Sequence, residues 1–254
     1  FGTSRPALAL MMDVYNQMRY GLPHLLALST SSPFWQGRDT GRKSYRSVIW
    51  ENAPRTGIPP TFQSFSEYEE FVEFMGGVNA IDLDKLTGKP DDTMLWWDAR
   101  PRSDLGTLEI RIADMCTTID EAICIAALIQ TLAAYFIKLR EQNQSWRIYR
   151  TKMIEENKWR ALRYGISGNL IDFGKALEMS AHLLLREVPQ ILGEVATEFD
   201  TVDELAYLQT ILKNGTSADR QLATYRRAIA NGSTKQEALI SVVDRLVEET
   251  NQGL

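Results

Sequence analysis

The sequence has few of the residues that build disulfide frameworks and metal centres. Its 254 residues include only two cysteines and two histidines. Cys116 and Cys124 lie in apolar surroundings without the spacing of a zinc site, so both are expected to be small core residues. This usage fits a reducing compartment, and we predict a cytoplasmic protein. His24 and His182 each stand alone in an apolar stretch, which favours structural roles.

Basic charge and long apolar segments are also scarce. The formal net charge of −5 gives no electrostatic reason to expect a nucleic-acid partner. The first residues lack the basic start and apolar core of a secretory signal, so none is expected. The longest apolar run, Ala122–Ile137, contains Gln130 and Thr131 and is too short for a membrane span. It predicts a buried helix, and no membrane partner is expected.

The clearest pattern in the sequence is an alternation of apolar and polar residues over Thr107–Asp114, which predicts a half-buried strand. A similar alternation over Met94–Arg100 predicts a second strand. The short connection between them, residues 101–106, favours an antiparallel hairpin. If the polar faces of the two strands coincide, they form a floor of two carboxylates and two guanidiniums, namely Asp98, Arg100, Glu109 and Arg111.

Two interpretations of this polar floor remain open at the level of pattern. One is a solvated sheet face with cross-strand ion pairs. The other is a site for a metal-bound polyphosphate, because carboxylates suit magnesium and arginines suit phosphate oxygens. The loop Ser29–Tyr45 and the residue that follows it are locally basic in an acidic protein, through Arg38, Arg42, Lys43 and Arg46. They suit a carboxylate or phosphate ligand, or form an ordinary basic surface.

The remaining chain is predicted to be mostly helical. Ser64-x-x-Glu67 and Thr118-x-x-Glu121 resemble capping boxes, and the second should open a helix that runs to about Glu141. Arg220 near a helix start is unusual, and a buried anionic partner or ligand would explain it. The fold class is α+β, an antiparallel sheet with helices on one face and a mostly helical C-terminal half. The other predicted elements are a strand at Ser47–Glu51 and helices at Tyr149–Tyr164, Ala176–Ala196, Val202–Asn214, Ser217–Ala230 and Thr234–Thr250.

Several separate stretches together resemble one family. WWDARP at 96–101 and LEIRIAD at 108–114 are similar to motifs of the ATP-dependent glutamate–cysteine ligases, in their bacterial carboxylate–amine ligase branch. Further agreement comes from 27–50, 157–165 (NKWRALRYG) and 215–221 (GTSADRQ). The resemblance runs from Phe1 to near the C-terminus. The motifs occur in the family's order, which makes the match specific, whereas LEIR alone would be weak.

The resemblance implies a glutamine-synthetase-like catalytic fold, and a ligase that uses ATP and Mg²⁺ to form an amide through an acyl phosphate. Its partners would be a small-molecule carboxylate and an amine, with a homodimer left open. It implies that Glu109 is a magnesium ligand and that Arg111 is the catalytic cation facing phosphate. The resemblance also implies that Arg111, Arg163 and Asn157 contact the nucleotide or another cofactor, and that Arg46 and Arg100 contact the substrate.

The sequence also departs from the family pattern near its start. No His-x-His strand follows Gly2-Thr3, and the family's strand of metal-binding glutamates is missing. We therefore expect residues 1–254 to form a single catalytic domain that corresponds to the C-terminal two-thirds of the family's ligase domain. Alone it should bind Mg·ATP poorly and leave sheet edges open. Two other functions remain open, a phosphagen-kinase-like phosphotransferase and a non-catalytic binding or regulatory homologue.

Overall fold

The computed structural model describes residues 1–102 and 104–252, and over these ranges the fold is α+β, as predicted. The helices are α1 (Arg5–Met18), α2 (Leu22–Ser29), α3 (Tyr45–Glu51), α4 (Phe65–Gly77), α5 (Ile119–Glu141), α6 (Thr151–Tyr164), α7 (Ala181–Glu198), α8 (Val202–Asn214), α9 (Ser217–Ala230) and α10 (Lys235–Thr250). The strands are β1 (Phe34–Trp35), β2 (Arg38–Asp39), β3 (Thr56–Gly57), β4 (Trp96–Trp97), β5 (Ala99–Arg102), β6 (Thr107–Ile110), β7 (Asn169–Asp172) and β8 (Leu177–Ser180). They pair two by two in chain order, and only β3–β4 is parallel.

The predicted hairpin is present as β5–β6, with Arg100 directly opposite Glu109. The strand predicted over 94–100 is divided at Asp98, because the residues before it form β4 and pair with β3 instead. The carbonyl of Asp98 still accepts a hydrogen bond from the backbone N–H of Arg111, at 2.8 Å. The hairpin therefore continues one step beyond β6. Ser103, in the predicted connection, lies outside the described residues.

Helix α5 is the longest helix among the described residues and packs against α1, α7 and α8. It begins at the predicted capping box. There the Thr118 hydroxyl accepts a hydrogen bond from the backbone N–H of Glu121, and the Glu121 carboxylate accepts one from the backbone N–H of Thr118. By length and composition alone, its 23 residues could also cross a membrane. Cys124, Leu128 and Phe136 are nevertheless buried in the common core. The helix thus buries one face in the core, but only 39% of its apolar stretch is buried, less than the sequence predicted.

Two sequence predictions of local structure are wrong. Residues 45–51 form helix α3 instead of a strand, because the hydroxyl of Ser44 caps the helix by accepting from the N–H of Ser47. The helix predicted from Ala176 begins only at Ala181, because residues 177–180 pair with β7 as strand β8.

Arg220 has the buried anionic partners that its position near a helix start suggested. Its guanidinium lies 2.7 Å from the carboxylate of Glu121 at the start of α5 and 3.0 Å from that of Glu249 on α10. The helix is capped by Thr216, and Asp219 completes a capping box. One arginine therefore ties together three helices.

Candidate anion-binding site

Three of the predicted site residues meet on the β5–β6 hairpin. The carboxylate of Glu109 accepts from Nη2 and Nε of Arg100 at 2.6 and 3.1 Å through one oxygen. Its other oxygen accepts from Nη1 of Arg111 at 2.8 Å. The first contact is the cross-strand pair set by the register, and the second joins residues i and i+2 on one face. Both arginines thus converge on a single carboxylate.

Arg100 and Arg111 keep the Glu109 carboxylate ionised. Its partial burial alone would raise the pKa of the carboxyl group, but the hydrogen bonds and charges of Arg100 and Arg111 outweigh that effect. The net result is a pKa below the usual range of a glutamate. Glu109 is therefore ionised at neutral pH and holds the two guanidiniums in place.

Arg111 and Arg46 share the indole ring of Trp50. Their guanidinium carbons lie 5.5 and 5.7 Å from the ring centre, within cation–π distance. Arg46 also donates to the backbone carbonyl of Arg111 at 2.9 Å, which fixes the two side chains relative to each other. Helix α3 provides both Arg46 and Trp50, so the helix that replaced the predicted strand places an arginine in the site.

Arg111 carries an unused donor. Its Nε is buried and has no hydrogen-bond partner among residues 1–102 and 104–252. A buried N–H without a partner costs about 1–3 kcal/mol, so such groups point to a missing acceptor. Because the guanidinium of Arg46 lies nearby, a negatively charged acceptor is favoured over a neutral one. The geometry therefore suits a carboxylate or phosphate oxygen.

Asp98 does not lie on the predicted floor with the other three residues. The chain bends at this position, between β4 and β5, and the Asp98 carboxylate is buried with its Oδ2 2.8 Å from Nζ of Lys158 on α6. Burial raises the pKa of the carboxyl group, and the nearby Lys158 offsets part of that increase. Lys158 also lies 3.2 Å from Glu51 on α3. Lys158 was not predicted as a site residue, although it belongs to the family-like stretch NKWR.

Two further predicted contacts lie outside the hairpin. Asn157 is buried, and its side-chain amide donates to the carbonyl of Ile171 and accepts from the N–H of the same residue, at 2.9 and 2.7 Å. In this orientation it fixes α6 to β7. Arg163 donates to the carbonyl of Gly41 at 2.6 Å and lies over the ring of Tyr164. The proposed ligand contacts of both residues remain predictions.

The basic loop before α3 is held by Asp114, which the sequence did not single out. Its buried carboxylate accepts from the N–H of Ser31 at 2.9 Å and from the hydroxyls of Ser32 and Ser44, each at 2.7 Å. Ser44 is the residue that caps α3, so Asp114 fixes the helix that carries Arg46.

The same loop is tied to the start of α9. The hydroxyl of Thr30 bonds that of Thr216 at 2.8 Å, and Ser31 bonds Ser217 at 3.0 Å. Lys43 pairs with Asp219. These bonds connect parts of the chain that lie far apart in sequence, so the loop that leads into the site is braced by the C-terminal helices.

A complete metal site is not formed by this part of the chain. Within the described residues, no group of three or more His, Cys, Asp or Glu side chains could hold a metal ion. Glu109 is the carboxylate at the hairpin, and both of its oxygens accept from arginines. Since Mg²⁺ needs six oxygen ligands, these residues alone do not fit it.

Comparison with known proteins gives consistent results. Residues 6–245 match the sequence profile of Glutamate-cysteine ligase family 2. A protein of Herpetosiphon aurantiacus named "Putative glutamate–cysteine ligase 2" is 47% identical over 243 residues, covering 96% of this chain and 59% of that protein. One of the same name from Rhodospirillum rubrum is 45% identical over 241 residues, covering 95% and 60%. The chain thus spans about 60% of the length of these relatives.

The fold resembles that of a solved ligase. The crystal structure of a glutamate–cysteine ligase from Francisella tularensis in complex with AMP matches with a TM-score of 0.60 over 97% of this chain and 59% of that one. Sequence identity in this comparison is 12%, so the match reports on the fold alone.

Proposed function

The chain belongs to the glutamate–cysteine ligase family 2, and on that premise we propose that it forms part of an ATP-dependent carboxylate–amine ligase. The carboxylate of an acid such as glutamate attacks the γ-phosphate of ATP and releases ADP. The amine of a molecule such as cysteine then attacks the acyl phosphate, forming an amide and releasing phosphate and a proton. Both steps demand that charged oxygens be held in line and neutralised.

The observation that carries this proposal is the buried Nε of Arg111, which has no hydrogen-bond partner in the part of the chain that the structure describes. A guanidinium that still has a free donor, fixed by Glu109 and by the ring of Trp50, is organised in advance for an anionic oxygen. Arg46, fixed through the same indole ring, supplies the second cation. We assign both arginines to the phosphate and carboxylate oxygens of the reactants. Arg100 is buried beneath them and acts through Glu109.

ATP as the nucleotide is supported by the family and by the bound AMP of the Francisella ligase, whose fold is similar. Mg²⁺ would neutralise charge on the phosphates when bound. The residues described here supply too few oxygens to hold it, so no step of this proposal depends on a metal position. Glu109 as one magnesium ligand remains a proposal that further carboxylates would have to complete.

The test measures all products in one reaction. The intact polypeptide that contains this chain is incubated with Mg·ATP, glutamate and cysteine, and ADP, phosphate and amide are quantified. Equal amounts of the three products, dependent on both substrates, support the ligase. A phosphorylated amine without free phosphate would instead establish a phosphotransferase. Failure to bind or consume ATP would leave a binding or regulatory role and overturn the proposal.

A further inference from the structure

An apolar cavity of about 370 Å³ lies between α2, α5 and α7, and it shares no lining residue with the anion-binding site. Protein interiors are normally packed to the density of organic crystals, so an empty volume of this size is unusual. It falls within the range of small-molecule binding sites. Its aliphatic wall consists mainly of Leu128, Leu132, Leu184, Leu185, Val188 and Leu192.

One end of the cavity is aromatic. The ring of Tyr20 lies 5.1 Å from that of His24, 5.8 Å from that of Trp146 and 5.3 Å from that of Tyr149, measured between centres. All four residues line the cavity. Aromatic rings prefer offset or edge-to-face neighbours at such distances. A planar aromatic ligand would therefore make favourable ring–ring contacts with this aromatic cluster, whereas an aliphatic ligand would not.

His24 supplies an acceptor in this aromatic wall. Its Nδ1 lies 3.2 Å from the backbone carbonyl of Tyr20, which can only accept, so the proton resides on Nδ1. The other ring nitrogen, Nε2, then carries a lone pair and can accept a hydrogen bond. Burial lowers the pKa of His24 to about 4, so the ring is neutral at pH 7.

The remaining polar groups argue against a charged ligand. Trp146 has a buried indole N–H that lacks a hydrogen-bond partner among the described residues, but it is a neutral donor and supplies no counter-charge. The charged groups that line the cavity are one lysine and two carboxylates, and Lys175 lies 3.4 Å from Asp172 and 3.9 Å from Glu187. An anion in this space would lose its hydration and meet a net charge of its own sign, and a cation would compete with Lys175 for the two carboxylates.

We propose that this cavity binds an uncharged aromatic molecule of the size of phenol or indole, which donates one O–H or N–H to Nε2 of His24. The apolar wall supplies the affinity, and the single acceptor selects ligands that carry a donor. This site is independent of the proposed ligase reaction, so either can hold when the other fails.

Matched probes separate the hydrogen bond from simple apolar filling. The protein is titrated calorimetrically with 4-methylphenol and with toluene, which have the same ring and methyl group. We expect 4-methylphenol to bind with a dissociation constant on the order of 10⁻⁴ M, and toluene to bind roughly five- to tenfold more weakly. In His24→Phe the preference should disappear. Equal binding of the two probes by the unaltered protein would overturn the proposal.

Filling the cavity provides a second test. Val188→Trp places a large ring in the wall, and Leu183→Trp adds the same ring to the same helix outside the cavity. The first variant should lose 4-methylphenol binding and the second should keep it. If Val188→Trp does not fold, Ile191→Trp at a half-exposed wall position replaces it. Unchanged binding in a folded filled variant, or no binding by the unaltered protein up to the solubility limit, would contradict the proposed site.

Discussion

Each oxygen of the Glu109 carboxylate accepts from a different arginine, so a change at this one residue releases two guanidiniums. The three side chains differ in exposure. Arg100 is almost fully buried, Arg111 is about one quarter exposed and Glu109 about one third exposed. Glu109 is bonded to the buried Arg100, and it therefore also holds Arg111, the arginine that faces the ligand, in a fixed position.

In the intact polypeptide, Glu109→Gln should reduce ATP-dependent turnover by roughly 10²-fold or more, because the neutral amide no longer holds Arg111 or contributes charge to the site. The fold should persist, since Arg100 keeps its hydrogen bond to the carbonyl of Leu95. Phosphate release and circular dichroism measure the two effects. Glu178→Gln is the matched control, because Glu178 pairs with Arg160 away from the site. Wild-type turnover in Glu109→Gln would remove this residue from the mechanism.

Arg111→Lys keeps the charge but loses the planar fork and the Nε donor. We expect kcat/KM to fall by about 10- to 100-fold, the value of one or two charge-assisted hydrogen bonds. Arg102→Lys, at an exposed pair with Asp104, should leave turnover unchanged. If lysine at position 111 supports nearly normal rates, the contribution of Arg111 is charge alone.

His24 should make the protein less stable in mild acid. Its pKa lies near 4 in the folded protein and near 6.5 in an unfolded chain. Between these values the unfolded chain binds a proton that the folded protein excludes, so the free energy of unfolding falls as pH decreases, by up to roughly 3 kcal/mol. Urea unfolding of wild type and His24→Phe at pH 7 and pH 5 measures the difference.

His24→Phe should lose less stability than wild type when the pH is lowered from 7 to 5. Tyr20→Phe serves as a control, since it keeps both His24 and the carbonyl to which the imidazole bonds. An identical loss in wild type and His24→Phe would show that the histidine does not titrate as described.

At the residue scale, the sequence predicted which side chains share a face better than it predicted their contacts. Strand alternation placed Glu109 and Arg111 on one face, and that arrangement is present. Asp98 was misplaced, because a bend between two short strands is decided by pairing with the distant β3. Lys158 and Asp114 were missed, because their roles depend on contacts between elements that no local pattern encodes.

At the scale of elements, three helices depend on one ion network. Arg220 at the start of α9 contacts Glu121 and Glu249, and Glu249 also accepts from Arg245 at 2.6 Å. Removing one member of a buried network leaves the others without a counter-charge. The cost of such a change is therefore larger than the net stability that the network provides.

Arg220→Met should lower the free energy of unfolding by about 3 kcal/mol, because the buried Glu121 carboxylate loses its arginine and the buried Glu249 carboxylate keeps only Arg245. Arg227→Met, on an exposed face of the same helix, should change it by less than about 0.5 kcal/mol. Chemical denaturation of both variants provides the comparison. Equal stabilities would mean that the network is solvated and contributes little.

Elements with strong local signals were predicted well. The capping box at Thr118 and the apolar pattern after it fixed α5 nearly to the residue, and α8 and α9 have their predicted limits. Helix α3 was missed, because its seven residues are stabilised by Ser44, which in turn depends on Asp114 seventy positions later. Short elements that depend on distant contacts escape a reading of local periodicity.

At the scale of the whole molecule, the strands form only two-stranded sheets among the described residues. The predicted hairpin is present, and α1 packs against both of its strands, β5 and β6. A wider sheet is not built from these ranges. The carboxylate of Glu109, held by two arginines, and the short strands together form one side of a site.

We therefore predict that the 254-residue chain by itself binds Mg·ATP weakly, with a dissociation constant in the millimolar range or above, on the order of 4 kcal/mol of binding free energy. One glutamate held by two arginines cannot replace several of the waters around magnesium. Calorimetric titration measures this affinity. Micromolar binding would mean that the metal ligands lie within this sequence and that the site described here is incomplete.

The bonds from Thr30 to Thr216 and from Ser31 to Ser217 can form only late in protein synthesis. Each joins residues 186 positions apart. At translation rates of about 5–20 residues per second, the partner of Thr30 is made roughly 10–40 s after it. Contacts of such long range close late and slow the folding of the parts that depend on them. The loop that leads into the site therefore acquires its final shape only after α9 has left the ribosome, and until then the hydroxyl groups of Thr30 and Ser31 bond to water.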